Sequence, residues 1–368
     1  MTITPAPLLL SGIMAERLAA LSSHMAAASS NPARELVLPR DAPVKVLITG
    51  AAGQIAYALC SLVASGAMLG PKQRVSLSLL DLPAMKEKLS GVVMELHDCA
   101  YPLLASVTAH TDEPSAFAGV EIALLVGSMP RQPGMQRKDL LAKNADIFRA
   151  QGRSLDRHAD KNVKVVVVGN PANTNALIAQ RNAPSIPAAN FSALTRLDQN
   201  RARAQVAQRM HVPVRDVANV VIWGNHSLTQ FPDLDPARVR DTNGATVAPR
   251  YAINDDMWVR AHFIPSVQQR GAAVLAARKS SSAASAAQAV VDHMRDWIIG
   301  TADGEIASMA VISDGSYGMP RDVMFSFPVT CRNGVYNIVQ GITVAPASRK
   351  YLEETAKELL EERAMAGL

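Results

Sequence analysis

No run in the sequence approaches the roughly 18 to 20 consecutive apolar residues needed to cross a bilayer as a helix, so a helical membrane protein is excluded as the organising idea. Cysteine is scarce as well. Cys60, Cys99 and Cys331 lie far apart, form no CxxC pair, and by their odd number leave one thiol over in any pairing scheme. That excludes a disulfide-stapled scaffold, fits a reducing compartment and implies no metal site. Aromatic residues amount to 4%, which argues against a single-stranded nucleic-acid platform built on base stacking. Long basic runs are missing too. The formal net charge is +5, but Lys and Arg are scattered, so the excess reads as a mild attraction to anionic small substrates rather than to nucleic acid or membrane. Acids are nearly absent from the N-terminal stretch. Up to Arg34 the only one is Glu16, in an Ala- and Ser-rich segment punctuated by Pro5, Pro7 and Pro32, with Pro39 and Pro43 following. With Arg17 and an amphipathic pattern from Ile13 to Leu21, this segment reads either as an organelle transit peptide or as a disordered extension.

What is present is globular and large. The 368 residues are 48% apolar and 19% charged, enough for two domains with ample core. The expected division is an extension over 1–43, a dinucleotide-binding domain over 44–193 and a substrate-binding catalytic domain over 194–368. From Val44 the pattern alternates strand and helix. Val44 to Thr49 is a short buried strand, Gly50 to Gly53 a turn, Gln54 to Ser65 a helix and Val75 to Leu80 a strand ending at Asp81, together one βαβ unit. Further expected elements are a helix from Met85 to Cys99, a strand near Val107, a strand from Glu121 to Val126, a helix from Asp139 to about Ala159 and a strand from Val163 to Val168. Strands so uniformly apolar belong to a parallel sheet covered on both faces. Beyond Asn170 the pattern predicts an α+β second lobe: a helix from Asp198 to His211, a strand from Val217 to Trp223, Ala-rich helices around 270–299, strands near Ile306 to Ile312 and Met324 to Val329, and a charged final helix from Arg349. The Ser/Ala run from Ser280 to Ala287 keeps helical composition and is read as helix. No internal repeat is visible.

Six places carry chemistry. Gly50-Ala51-Ala52-Gly53-Gln54-Ile55-Ala56 joins a strand to a helix, where backbone N–H groups at a helix start can receive a pyrophosphate; a tight αβ connection with no ligand has the same pattern. Asp81, at the tip of the following strand, stands where a carboxylate would bond the ribose hydroxyls of NAD and repel the extra phosphate of NADP; a plain strand-end turn acid is the alternative. The stretch from Gly127 to Asp139, with two prolines, two glycines, Arg131, Arg137 and Lys138, has the composition of a hinged lid. Asn170 follows a buried strand, the edge where open α/β sheets bind ligands. Asp198 and Arg201 are three residues apart on a predicted helix and share a face, as a surface ion pair also would. His226 alone among the eight histidines follows a strand and a glycine turn.

Taken together, these segments resemble the malate and lactate dehydrogenase family, in particular its malate branch of the cytosolic kind. The runs TGAAGQIAYAL, VVGNPANTN, LTRLDQNRA, IWGNHS and QQRGAAV carry the resemblance, which spans about residues 44 to 366. It implies a Rossmann-type doubly wound parallel sheet followed by an α+β catalytic domain, NAD as cofactor, a small-molecule malate or oxaloacetate substrate, a homodimer and a cytoplasmic protein, or a mitochondrial or plastid one if the leader is a transit peptide. By the same resemblance His226 is the proton acceptor and Asp198 its orienting partner. Arg201 takes the carboxylate beside the reacting carbon, Arg131 takes the distal carboxylate, Arg137 polarises the carbonyl oxygen and Asn170 bonds substrate. Gly50, Ala51, Gly53, Gln54, Ile55, Asp81, Asn144, Gln151, Val168 and Asn170 hold the cofactor. The chemistry agrees: alcohol oxidation needs a base near neutral pKa, and guanidinium groups pair with carboxylates. Two departures bear on substrate choice. The segment Ser313 to Pro320 is one residue shorter than the family pattern, and Ser280 and Ala284 replace larger apolar residues. A dehydrogenase for another 2-hydroxy acid, an NADP enzyme and a catalytically silent dinucleotide-binding protein are the competing readings.

Overall fold

The structure, a computed structural model, describes residues 36–129 and 137–368, with Arg137 and Lys138 described in backbone only. The first half builds six parallel strands: β1 (Val44–Thr49), β2 (Val75–Leu80), β3 (Leu104–His110), β4 (Ile122–Leu125), β5 (Lys164–Val167) and β6 (Phe191–Ala193). Their order across the sheet is β3-β2-β1-β4-β5-β6, the order of a doubly wound dinucleotide-binding fold. Successive side chains of β1 serve two cores. Val46 and Ile48 pack with Leu59 and Val63 of the helix Gln54–Ala64, while Leu47 packs with Phe148 of the helix Arg137–His158 on the opposite face. Burial on both faces is why the central strand β4, Ile122–Leu125, is apolar at every position rather than at every second one.

The second half adds β7 (Val217–Ala218), β8 (Val221–Trp223), β9 (Phe231–Asp233), β10 (Arg238–Arg240), β11 (Thr246–Val247), β12 (Ala307–Ile312), β13 (Met324–Arg332) and β14 (Val335–Ile338). This half is α+β as expected, with two small antiparallel sheets of its own, β11-β10-β7 and β8-β9. β12, β13 and β14 continue the first sheet antiparallel beyond β6, through the single register pair Ala193 and Ala310, so nine strands run as one surface. Two expectations are corrected. The strand expected over 217–223 is interrupted at Asn219, whose φ of +61° turns the chain, so β7 joins β10 and β8 joins β9 in different sheets. The Ser/Ala run is not continuous helix: one helix, Ile264–Arg278, ends with Lys279 in the left-handed region, and the next starts at Ala284. Three consecutive serines, whose hydroxyls compete for backbone groups, favour such a break. A helix Ala172–Arg181, unforeseen in the sequence, follows β5.

Leu59 and Val63 are buried in the core. Residues 36–43, counted with the extension, are tied to the body: Leu36 N–H donates to the Asn333 carbonyl at 2.7 Å, Arg40 N–H to Gln73 Oε1 at 2.8 Å, and the Arg40 guanidinium pairs with Glu121. The rest of the extension, 1–35, lies outside the described residues, as do Arg131 and most of the expected lid. Among the described residues no helix is long and apolar enough to cross a membrane.

Candidate active site

The carboxyl ends of β1, β2, β4 and β5 gather the first set of site residues. Gly50 leaves β1 with φ +63°, and a Cβ there would lie 2.6 Å from Gly127 Cα, just past β4. Only glycine meets both demands, so the two strand ends pinch together. Gly53 caps the helix Gln54–Ala64 without a side-chain bond to its first turn, and Gln54 is exposed. An uncapped helix start carries partial positive charge and unmet donors, which suits a pyrophosphate. Asp81 fastens this turn in place. Its Oδ2 accepts from Ala52 N–H at 2.8 Å and its Oδ1 from Leu82 N–H at 2.7 Å, binding the glycine turn to the tip of β2. Each oxygen keeps a second lone pair for an outside donor. Gln151 is 5% exposed, and its Oε1 has no partner among the described residues, an orphaned acceptor of the kind a bound group would satisfy. These features fit a dinucleotide.

Beside β5, Val168 is half-buried and Asn170 exposed, with its peptide to Pro171 cis. Asn144 is fully buried, and its amide is engaged within the protein: Oδ1 accepts from Met129 N–H at 2.8 Å, and Nδ2 donates to the carbonyls of Met129 (3.2 Å) and Asn170 (2.9 Å). Its placement therefore locks the two strand ends together at the start of the lid segment.

The second set comes from the helix Arg196–Met210 and the loop after β8. Asp198, fully buried, accepts from His226 Nδ1 through Oδ2 and from Arg201 through Oδ1 at 3.1 Å. Burial opposes a charged imidazole, but the adjoining Asp198 carboxylate outweighs it and holds His226 above its ordinary pKa. Burial likewise opposes charge on Asp198, yet the imidazole, Arg201 and a Gln230 hydrogen bond keep its carboxyl below the ordinary range. With Nδ1 occupied, Nε2 is the nitrogen left to exchange a proton. Arg201 also reaches Ser282 Oγ at 3.4 Å.

Sequence reasoning passed over two residues that hold this cluster. Asn173 receives His226 N–H on Oδ1 at 3.0 Å and donates to the carbonyls of Gly224 (3.1 Å) and Met324 (2.9 Å). Its place in the Asn-Pro-Ala-Asn run was the one signal that could have found it. Gln230, the last residue of the loop before β9, had none. Among the described residues no group of His, Cys, Asp or Glu could hold a metal.

A parallel dinucleotide-binding sheet, with a carboxylate-backed imidazole and a guanidinium supplied by the segment after it, defines a dinucleotide-dependent oxidoreductase. The chain belongs to the lactate/malate dehydrogenase family: residues 44–192 match the family's NAD-binding domain and residues 195–366 its alpha/beta C-terminal domain. It is 56% identical over 323 residues to the probable malate dehydrogenase 3 of Dictyostelium discoideum, covering 88% of this chain and 97% of that one. To malate dehydrogenase 1, cytoplasmic, of Arabidopsis thaliana it is 53% identical over 324 residues, with the same two coverages. The crystal structure of malate dehydrogenase from Naegleria fowleri superposes with a TM-score of 0.84 at 45% identity, over 89% of this chain and 98% of that one.

Proposed function

We propose that the chain is an NAD-dependent malate dehydrogenase that interconverts malate and oxaloacetate, with His226 as proton carrier. The observation that carries the reading is the His226–Asp198–Arg201 cluster at the end of an NAD-binding sheet, in a chain more than half identical to proteins named malate dehydrogenase. Gly50, Ala51, Gly53, Gln54 and Ile55 would hold the pyrophosphate, Asp81 the adenosine ribose, and Val168, Asn170 and Gln151 the nicotinamide end; Asn144 would act through Met129 and Asn170. A nicotinamide held there would supply the hydride acceptor in oxidation and the hydride donor in reduction. As the C–H bond breaks, the hydroxyl proton passes to His226 Nε2, and Asp198 stabilises the imidazolium that forms. Arg201 would pair with the carboxylate beside that carbon, giving up part of its contact with Ser282. Arg131 and Arg137 are assigned to the distal carboxylate and the reacting oxygen.

The closing test is the loss of NADH absorbance with oxaloacetate, set beside pyruvate and beside NADPH. Oxaloacetate with NADH is expected to be far the fastest pair. A preference for pyruvate would move the chain to the lactate type, and equal use of NADPH would overturn the role of Asp81. Arg131→Gln should sharply cut oxaloacetate use while sparing NADH binding.

A homodimer in the cytoplasm belongs to the same proposal, supported by the family and by the cytoplasmic name of the Arabidopsis relative. On the surface, Tyr57 and Met94 stand 49% and 62% exposed on two helices joined by the bond from Tyr57 Oη to Glu95 Oε2 at 2.5 Å. Sedimentation would give the subunit number, and sequencing the N-terminus of the cellular protein would show whether residues 1–35 remain.

A further inference from the structure

The loop carrying His226 rests on a row of polar side chains from the final helix, Pro346–Met365. Thr355 Oγ1 accepts from the Asn225 backbone N–H at 2.8 Å. One turn on, Glu358 Oε2 accepts from Asn225 Nδ2 at 2.9 Å, from Thr229 Oγ1 at 2.7 Å and from Ser227 Oγ. Another turn on, Glu362, 1% exposed, accepts from Asn225 Nδ2 at 3.2 Å and from the Thr174 hydroxyl, on the helix that also supplies Asn173. Positions 355, 358 and 362 share one helix face. Burying carboxylates there is costly unless donors meet them, and the donors come from the loop on both sides of His226 and from the Asn173 helix.

We propose that Glu358, supported by Thr355 and Glu362, is a positioning residue for the proton transfer: the final helix sets the place of the loop and so the place of the imidazole. His226 itself bonds Asp198 and Asn173, not this helix, so the effect is transmitted through Asn225, Ser227 and Thr229. A fraction of an ångström at a reacting group is enough to lower a rate without removing any substrate contact. The inference rests on the reading of His226 as proton carrier.

The test compares Glu358→Ala with Glu358→Gln, whose amide oxygen can still accept from the loop. Two readouts are taken: the rate at which diethylpyrocarbonate modifies His226, followed by mass spectrometry, and steady-state oxaloacetate reduction with NADH and with NADH deuterated at the transferred position. In Glu358→Ala, modification of His226 is expected to speed up severalfold. The kcat should fall by about tenfold and the deuterium isotope effect should grow, with NADH affinity and KM within twofold of the parent. Glu358→Gln should recover most of both. Unchanged modification or unchanged kcat in Glu358→Ala overturns the proposal, as does a Glu358→Gln variant no better than Ala. Should Glu358→Ala fail to fold, Ser227→Ala with Thr229→Val removes two of the same bonds from the loop side and must show the same pattern. A parent enzyme that ignores oxaloacetate would refute the proposed function, while the modification rate of His226 would still decide the positioning claim.

Discussion

His226 meets three environments at once, a burial that opposes its charge, a carboxylate that favours it and a guanidinium that opposes it, and the carboxylate prevails. In the proposed reaction the imidazole must start protonated to reduce oxaloacetate and neutral to oxidise malate. Because its pKa is raised, kcat/KM for reduction should persist above the ordinary histidine range and fall as pH rises through the raised value. Oxidation should fall as pH drops below it. Asp198→Asn removes the cause: the inflection should move down, and kcat should drop roughly 100-fold or more, since a neutral amide cannot stabilise the imidazolium. A pH–rate profile of the two proteins would check both. At this scale the sequence was legible where chemistry is written in a motif, as for Asp198, Arg201 and His226. It was mute where a side chain serves a distant backbone. Asn173 holds a loop about fifty residues away, and Asn144 clamps Met129 to Asn170.

Elements were legible in proportion to how regular their burial is. Strands β1, β2, β4 and β5 are buried at nearly every position, and they lie within a residue or two of their expected ends. The breaks were harder to read, because Asn219 and Lys279 adopt left-handed backbone inside stretches whose composition otherwise favours continuous strand or helix. Gly224 shows how one such position governs a whole loop. Its φ is +91°, and a Cβ there would lie 2.1 Å from Thr355 Cγ2, against the final helix. Gly224→Ala should therefore cost about 2–4 kcal/mol in stability, from left-handed strain and overpacking together. A fall in kcat should accompany it; the urea midpoint and the oxaloacetate assay would read the two effects. Gly50→Ala puts a Cβ onto the Gly127 backbone instead, and a fluorescence titration should show NADH binding lost while the fold persists.

Across the whole molecule, two buried bases, His293 and Lys164, contribute to the response to pH. Burial, with Arg196 adding to it, pushes His293 down to about 3. An unfolded histidine takes its proton near 6.5, so between those values the unfolded state binds more protons and stability falls as the solution is acidified. Burial likewise lowers Lys164 to about 8, while its ammonium donates to Asn190 Oδ1 at 2.7 Å. Between about 8 and the ordinary lysine value near ~10.4, stability should rise with pH. Urea midpoints measured across pH should therefore show a flatter acid limb for His293→Gln and a flatter alkaline limb for Lys164→Met. What the sequence hid at this scale was the joining of its halves, because the pairing of β6 with β12 links residues more than a hundred positions apart through one pair of alanines. That seam has a consequence for the protein as it is made. The ribosome delivers β1 to β6 first, and β6 then waits on the order of ten seconds for β12, at ~5–20 residues per second. Throughout that interval β6 is the open margin of a nascent sheet, the kind of margin on which other chains polymerise. It is only three residues long, Phe191–Ala193, too short a template for a stranger to extend.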